Sequence, residues 1–247
     1  MRTPTAAVMV VGNEVLSAKV SDENGPYAAR RLRELGVELT ALLTLPDRLD
    51  ILEEAISRER RRVDWLFTSG GVGPTHDDVT LLAVAHALGL PLARHPVLVR
   101  NVHRWYERRS ADQPPEAALR MADVPEGTRL LGDPAFPVMT VENVVMLPGP
   151  PQFFRAQFDA FTATLEAPPF RLACVYVTVS EDRFAVMLDR IAREYSDVGI
   201  GSYPRFDDAD HRVMITFEGK DAARVETAMR AFLAALPEGA LVRHHGP

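Results

Sequence analysis

A buried strand that runs straight into a cluster of glycines and then into a helix leaves few folds open to this chain. The strand is Val63-Asp64-Trp65-Leu66-Phe67, a β-branched and aromatic run of the kind covered on both faces in a parallel sheet. It leads into Thr68-Ser69-Gly70-Gly71-Val72-Gly73-Pro74-Thr75-His76-Asp77-Asp78-Val79-Thr80. Gly70, Gly71 and Gly73 carry no Cβ that would hold a ligand off the backbone, so successive N–H groups can converge on an anion. Thr75 reads as an N-cap with Asp78 as its capping-box partner, ahead of a helix with Val79, Leu82, Ala83 and Leu88 on one face. A phosphate held at that helix N-terminus is the expectation; the competing reading is a tight turn whose two acids only cap the helix. Asp77 and Asp78 would repel a pyrophosphate, a conflict that a divalent cation resolves. The glycine spacing is neither that of a Walker loop nor GxGxxG, which argues against a nucleoside triphosphatase or a dinucleotide dehydrogenase.

Strand and helix signals alternate up to about residue 165, the pattern of a mostly parallel sheet. Ala6–Val11 reads as the first strand, Pro26 to Gly36 as a helix, Val37–Leu43 as a strand, and Asp47 as the opening of a second helix. The basic end of that helix, Arg58 and Arg60 to Arg62, reads as a solvated cationic helix terminus, with a nucleic-acid patch as the sharper alternative. Strands at Val138–Val141 and Val144–Leu147 lead into Pro148-Gly149. Asn13, Ser69 and Gly149 therefore fall at carboxyl ends of strands, where open α/β sheets bind ligands. Leu90 to Pro125 reads as interrupted helix, broken at Ala111-Asp112-Gln113-Pro114-Pro115, and is expected to overhang that crevice. Phe153, Phe154, Phe158 and Phe161 read as a packing stripe. The prolines of Glu166-Ala167-Pro168-Pro169-Phe170 mark a boundary, beyond which the order βαββαβ is that of a ferredoxin-like domain.

These residues carry a resemblance. The glycine run, Gly12-Asn13-Glu14-Val15-Leu16-Ser17 with Asp22-Glu23-Asn24, and Leu147-Pro148-Gly149-Pro150 together resemble the MoaB/Mog molybdopterin-binding fold in the form found in competence/damage-inducible protein A-like proteins. The resemblance implies a three-layer α/β domain over residues 1–166 and a small α+β domain over 171–247. It implies that Asp78 is the essential aspartate and Asp77 a second acid, that both with Glu14 hold a divalent metal (magnesium, manganese or cobalt), and that Asn13, Glu14, Asp22, Asn24, Ser69, Gly70, Gly71, Gly73, Pro74, Thr75, Thr80, Pro148 and Gly149 bind the ligand. Ala18 and Pro150 depart from the pattern, Ala18 standing where a glycine is usual.

The implied activity is metal-dependent pyrophosphatase cleavage of ADP-ribose or a related dinucleotide. Molybdopterin binding without hydrolysis, linked to molybdenum cofactor biosynthesis, is the alternative, and a non-catalytic interaction protein is a further one. A C-terminal amidase domain, frequent in such proteins, is not expected. A homo-oligomer is expected, dimer or trimer. The small domain of such proteins is described as similar to the RNA-binding KH type, but no G-x-x-G loop joins its helices and the tip Phe206-Asp207-Asp208-Ala209-Asp210 is acidic.

A net charge of -6 argues against a general nucleic-acid or membrane surface, and 47% hydrophobic residues in 247 allow one large core and a smaller one. The lone Cys174 excludes an internal disulfide and, with no signal-like N-terminus, makes the cytoplasm the expected compartment. His76, His86, His95 and His103 show no i, i+4 pair of a helical zinc site.

Overall fold

The computed structural model describes residues 3–109, 113–206 and 210–247. The chain divides into two units, Met1–Ala167 and Pro168–Pro247. In the first the elements run β1 (Thr5–Val11), α1 (Asn13–Leu16), α2 (Asn24–Glu34), β2 (Glu38–Leu45), α3 (Leu49–Glu59), β3 (Trp65–Ser69), α4 (Thr80–Leu88), β4 (Leu92–Arg94), α5 (Pro96–Arg109), α6 (Glu116–Leu119), β5 (Asp123–Pro125), β6 (Arg129–Leu131), β7 (Val138–Val141), β8 (Val144–Leu147) and α7 (Pro151–Thr162).

Six strands form one sheet in the order β2-β1-β3-β8-β7-β6. The first four are parallel, while β7 and β6 continue it as antiparallel strands. β1 explains the layering. Ala6, Val8 and Val10 pack with Ala28 and Leu32 of α2 and with Phe154, Phe158 and Phe161 of α7. Ala7, Met9 and Val11 pack on the opposite face with Leu52 and Ile56 of α3 and Leu81 and Val84 of α4. A central strand apolar from Ala6 to Val11 is thereby buried on both faces, giving the three-layer, mostly parallel architecture expected.

Several local expectations are corrected. Asp47 does not cap α3, whose N-cap is Arg48 with no side-chain cap bond; its carboxylate accepts instead from Asn13 N at 2.7 Å. Thr75 does not cap α4, which begins five residues later behind Val79, because Asp78 turns back onto Thr75 and uses that pair to close the loop itself. The first amide of α4, Thr80 N, is taken by Gly71 O at 2.9 Å. Between Leu90 and Pro125 the chain is not only helical: β4 and β5 pair as an antiparallel ribbon, and all three residues of β4 are exposed, so no alternation announces it. The broken stretch at Ala111 and Asp112 lies outside the described residues. Arg58, Arg60 and Arg62 pair with Glu54, Glu59 and Glu142.

The second unit runs β9 (Arg171–Val177), α8 (Ala185–Glu194), β10 (Gly199–Pro204), β11 (Val213–Gly219), α9 (Ala222–Ala235) and β12 (Leu241–His245). Its antiparallel sheet has the order β10-β11-β9-β12. Alternate residues of β11, Val213, Ile215 and Phe217, face a core shared with Val225, Met229 and Phe232 of α9. Asp221 caps α9 by accepting from Ala223 N and Arg224 N at 2.8 and 3.3 Å. Residues 207–209 of the acidic tip lie outside the described residues.

Candidate functional site

β1, β3 and β8 are parallel neighbours, so the loops that leave their carboxyl ends, at Gly12, Gly70 and Pro148, open on the same edge of the sheet. Backbone contact draws them closer. Gly70 N donates to Leu147 O at 3.0 Å, and a Cβ added to Gly149 would stand 3.5 Å from Gly70 Cα. Gly70 adopts φ 100° and Gly71 φ 67°, a region in which a side chain is strained; at Gly70 it would also strike the carbonyl of Val11. The glycines therefore serve the close approach of three loops as well as an open backbone.

Asn24 ties the same loops together from below. It is 5% exposed, and its Nδ2 donates to Ser69 Oγ at 2.8 Å and to Gly149 O at 2.7 Å. Asp22 fixes the turn before it by accepting from Asn24 N and Gly25 N, both at 2.9 Å. Thr80 holds the glycine loop from the other side, donating its hydroxyl to Gly70 O at 2.8 Å.

Above this frame lies a cleft of about 680 Å³, within the range of small-molecule sites. Of the expected ligand residues, Glu14, Gly70, Gly71, Gly73, Pro74, Thr75, Asp77, Asp78, Pro148 and Gly149 line it. Asn13, Asp22, Asn24, Ser69 and Thr80 do not; they brace the loops that do.

The cleft's charge is one-sided. Glu14, Asp47, Asp77 and Asp78 contribute carboxylates, and no Lys, Arg or His stands among its described lining residues. Asp78 Oδ2 accepts from Thr75 N at 2.8 Å and from the Thr75 hydroxyl. Exposed Asp77 is held below the ordinary aspartate range by the Thr75 side chain nearby and then by its own backbone N–H, with His76 adding a smaller pull. Asp77 is therefore ionised at neutral pH and offers hard oxygen donors. Glu14, Asp77 and Asp78 share the cleft but do not gather into a ready cage: among the described residues no three His, Cys, Asp or Glu side chains come together as a metal set. Such a donor set fits magnesium-like ions, which take one or two carboxylates and complete their shell with ligand phosphates and water.

The opposite wall was not foreseen residue by residue. α5 contributes Leu98, Asn101, Val102, Trp105 and Tyr106, and Phe136 and Phe153 are further lining. Phe153, expected in the packing stripe, is 46% exposed, whereas Phe154, Phe158 and Phe161 are buried; a helix with three phenylalanines on its core face turns the fourth outward. Trp105 is 51% exposed and Phe136 42%. Asp47 was equally missed as a lining residue, although its place just past the end of β2, on the same edge of the sheet as the glycine loop, was a usable signal.

Residues 7–167 match the family described as a probable molybdopterin binding domain, and residues 169–245 match the FAD synthase middle domain. A protein of Archaeoglobus fulgidus is 31% identical over 227 residues, covering 91% of this chain and 95% of the relative. A probable FAD synthase of Caenorhabditis elegans is 29% identical over 259 residues, which span 93% of this chain but only 50% of that relative. Among solved structures, CinA of Thermoplasma acidophilum, described as of unknown function, aligns at 28% identity with a TM-score of 0.59 over 65% of this chain and 97% of its own.

Proposed function

The chain belongs to the molybdopterin-binding domain family over residues 7–167, and from that premise we propose that its first unit binds a phosphate ester of a planar heterocycle, of the molybdopterin type, together with a divalent cation. The observation that carries this is the pairing of an open glycine backbone with carboxylates and no basic side chain along the described lining. Backbone N–H groups of Gly71, Val72 and Gly73 receive the phosphate, those of Gly70 and Thr75 being already given to Leu147 O and Asp78, and the arrangement costs no side-chain ordering because Thr80 and Asp78 already fix the loop. Asp77 and Asp78, with Glu14 of the same cleft, hold the cation against that phosphate. A bound cation supplies charge neutralisation of the phosphate and a lowered pKa for a water molecule.

That last property favours a second reading, hydrolysis of a dinucleotide diphosphate such as ADP-ribose or FAD; the similarity to a probable FAD synthase supports it too. One experiment separates them. The full chain is incubated with a pterin phosphate, FAD or ADP-ribose, with and without magnesium, manganese or cobalt, and both melting temperature and release of mononucleotide are followed. Binding without turnover gives metal-dependent stabilisation, about 2.7 kcal/mol at a hundredfold the dissociation constant, and no product. Turnover that disappears in Asp78→Ala replaces the first reading by the second. Neither a shift nor product with any ligand overturns both and leaves a non-catalytic interaction protein.

A further inference from the structure

Gln157 on α7 is 5% exposed and belongs to the lining of the cleft. Its amide is fixed in orientation, because Nε2 donates to Pro137 O at 3.0 Å and to Phe136 O at 3.4 Å; both partners are carbonyls, so the nitrogen must face them. Its Oε1 is then left without a hydrogen-bond partner while sealed from solvent. A buried acceptor of this kind calls for a hydrogen-bond donor, and in the wall of a cleft a ligand can supply one.

The surroundings say what kind of donor. Phe136, whose carbonyl accepts from Gln157, and Phe153, one turn before Gln157 on α7, form an edge-to-face pair at 5.3 Å, yet each is more than two-fifths exposed, so neither is locked in a core. Asn101 of α5 donates to Pro134 O at 2.8 Å, which fastens α5 to the loop that carries Phe136. Trp105 stands one turn beyond Asn101 on the same helix face and makes its own edge-to-face pair with Tyr106 at 5.0 Å. A flat ring lying among these aromatics gains stacking on its faces and needs a polar partner only at its edge. The family match assigns no role to Gln157, and nothing in the glycine loop reads a ring.

We infer that Gln157 Oε1 is the acceptor that selects the ligand's ring: the cleft takes a planar nitrogen heterocycle whose edge presents an N–H, and Phe136 and Phe153 part to let that edge reach Gln157. This rests on the function proposed above and names its specificity element. Two chemical sources supply such an edge, the lactam N–H of a pterin or isoalloxazine ring and the exocyclic amine of adenine.

The test compares ligand pairs that differ only at that edge: flavin mononucleotide against its N3-methyl derivative, and AMP against N6,N6-dimethyl-AMP. Each is titrated with magnesium present against the tryptophan emission of the full chain, with calorimetry as an independent readout. At least a tenfold preference for the N–H form is expected in one pair, and the pair that shows it identifies the ring class. Gln157→Met, which keeps the length but removes the amide, is expected to abolish that preference by weakening the N–H ligand while leaving the methylated one unchanged. Gln157→Leu, apolar and of similar size, is expected to abolish the preference in the same way, which covers the case of a Met variant that fails to fold. Equal binding of both members of each pair by the unaltered protein, or an undiminished preference in a folded Gln157→Met, overturns the assignment alone. Absence of binding by all four ligands overturns it as well, while the phosphate site stands or falls with the pterin phosphate titration described above.

Discussion

Ala18 concentrates what a single position does to this loop system. α1 ends in a Schellman closure: Ala18 N donates to Val15 O at 3.0 Å and Lys19 N to Glu14 O at 2.9 Å, which forces Ala18 to φ 55°. An L-residue there is strained by about 1–2 kcal/mol, while a glycine costs about 0.4–1 kcal/mol through the unfolded chain. Ala18→Gly is therefore expected to raise stability by about 0.5–1 kcal/mol, read as a higher urea midpoint at unchanged slope. The departure of Ala18 from the glycine usual at this point of the resembling family was visible in the sequence; the conformation that makes it matter was not. The same limit runs through the site. Composition and strand ends bring Glu14, Thr75, Asp77 and Asp78 to one crevice, but whether an acid or an amide faces the ligand or props up a loop is decided by hydrogen bonds between residues far apart in the chain. Asn24, bonded across 45 and 125 positions to Ser69 and Gly149, is such a case, and no local pattern distinguishes it from a ligand contact.

Among elements, long periodic segments were legible and short ones were not. β1, β3, β7 and β8 declare themselves by runs rich in β-branched and apolar residues; β4, β5 and β6 are three residues each and owe their form to the partner strand. α5, which walls the cleft, reads as an ordinary amphipathic helix, because no sequence period separates an aromatic facing a ligand from one facing a core. The joint between α2 and α7 carries a pH dependence. Tyr27 Oη donates to Asp159 Oδ2 at 2.6 Å, and burial first, then the Asp159 carboxylate, raise the phenol above its ordinary value near 10. Below that value folded and unfolded chains both keep the proton. As pH rises past it the unfolded chain loses its proton first, so this joint's contribution to stability is present below pH 10 and is lost as pH climbs toward the folded value. Unfolding midpoints measured at neutral pH and upward past pH 10 are expected to fall more steeply for the unaltered protein than for Tyr27→Phe, which has no phenol to titrate.

At the scale of the whole molecule, each unit has a core of its own: Phe67, Phe154 and Phe158 belong to the first, Phe184, Phe217 and Phe232 to the second. Every described residue lining the 680 Å³ cleft comes from the first unit. The fragment 1–167 is accordingly expected to fold alone and to show the same ligand-dependent rise in melting temperature as the full chain; a fragment that folds yet shows no rise assigns the second unit a part in binding. Within that cleft the two walls are made of different material. The glycine side is main chain braced by the side chains of Asn24, Asp78 and Thr80, and a side chain added at Gly70 or Gly71 would strike Val11 or Thr80; the aromatic side is made of side chains on α5, the loop around Phe136 and the outer face of α7. The two walls therefore answer differently to change: a single replacement among the aromatics alters the shape and polarity of the cleft while the backbone frame of the glycine loops keeps its form.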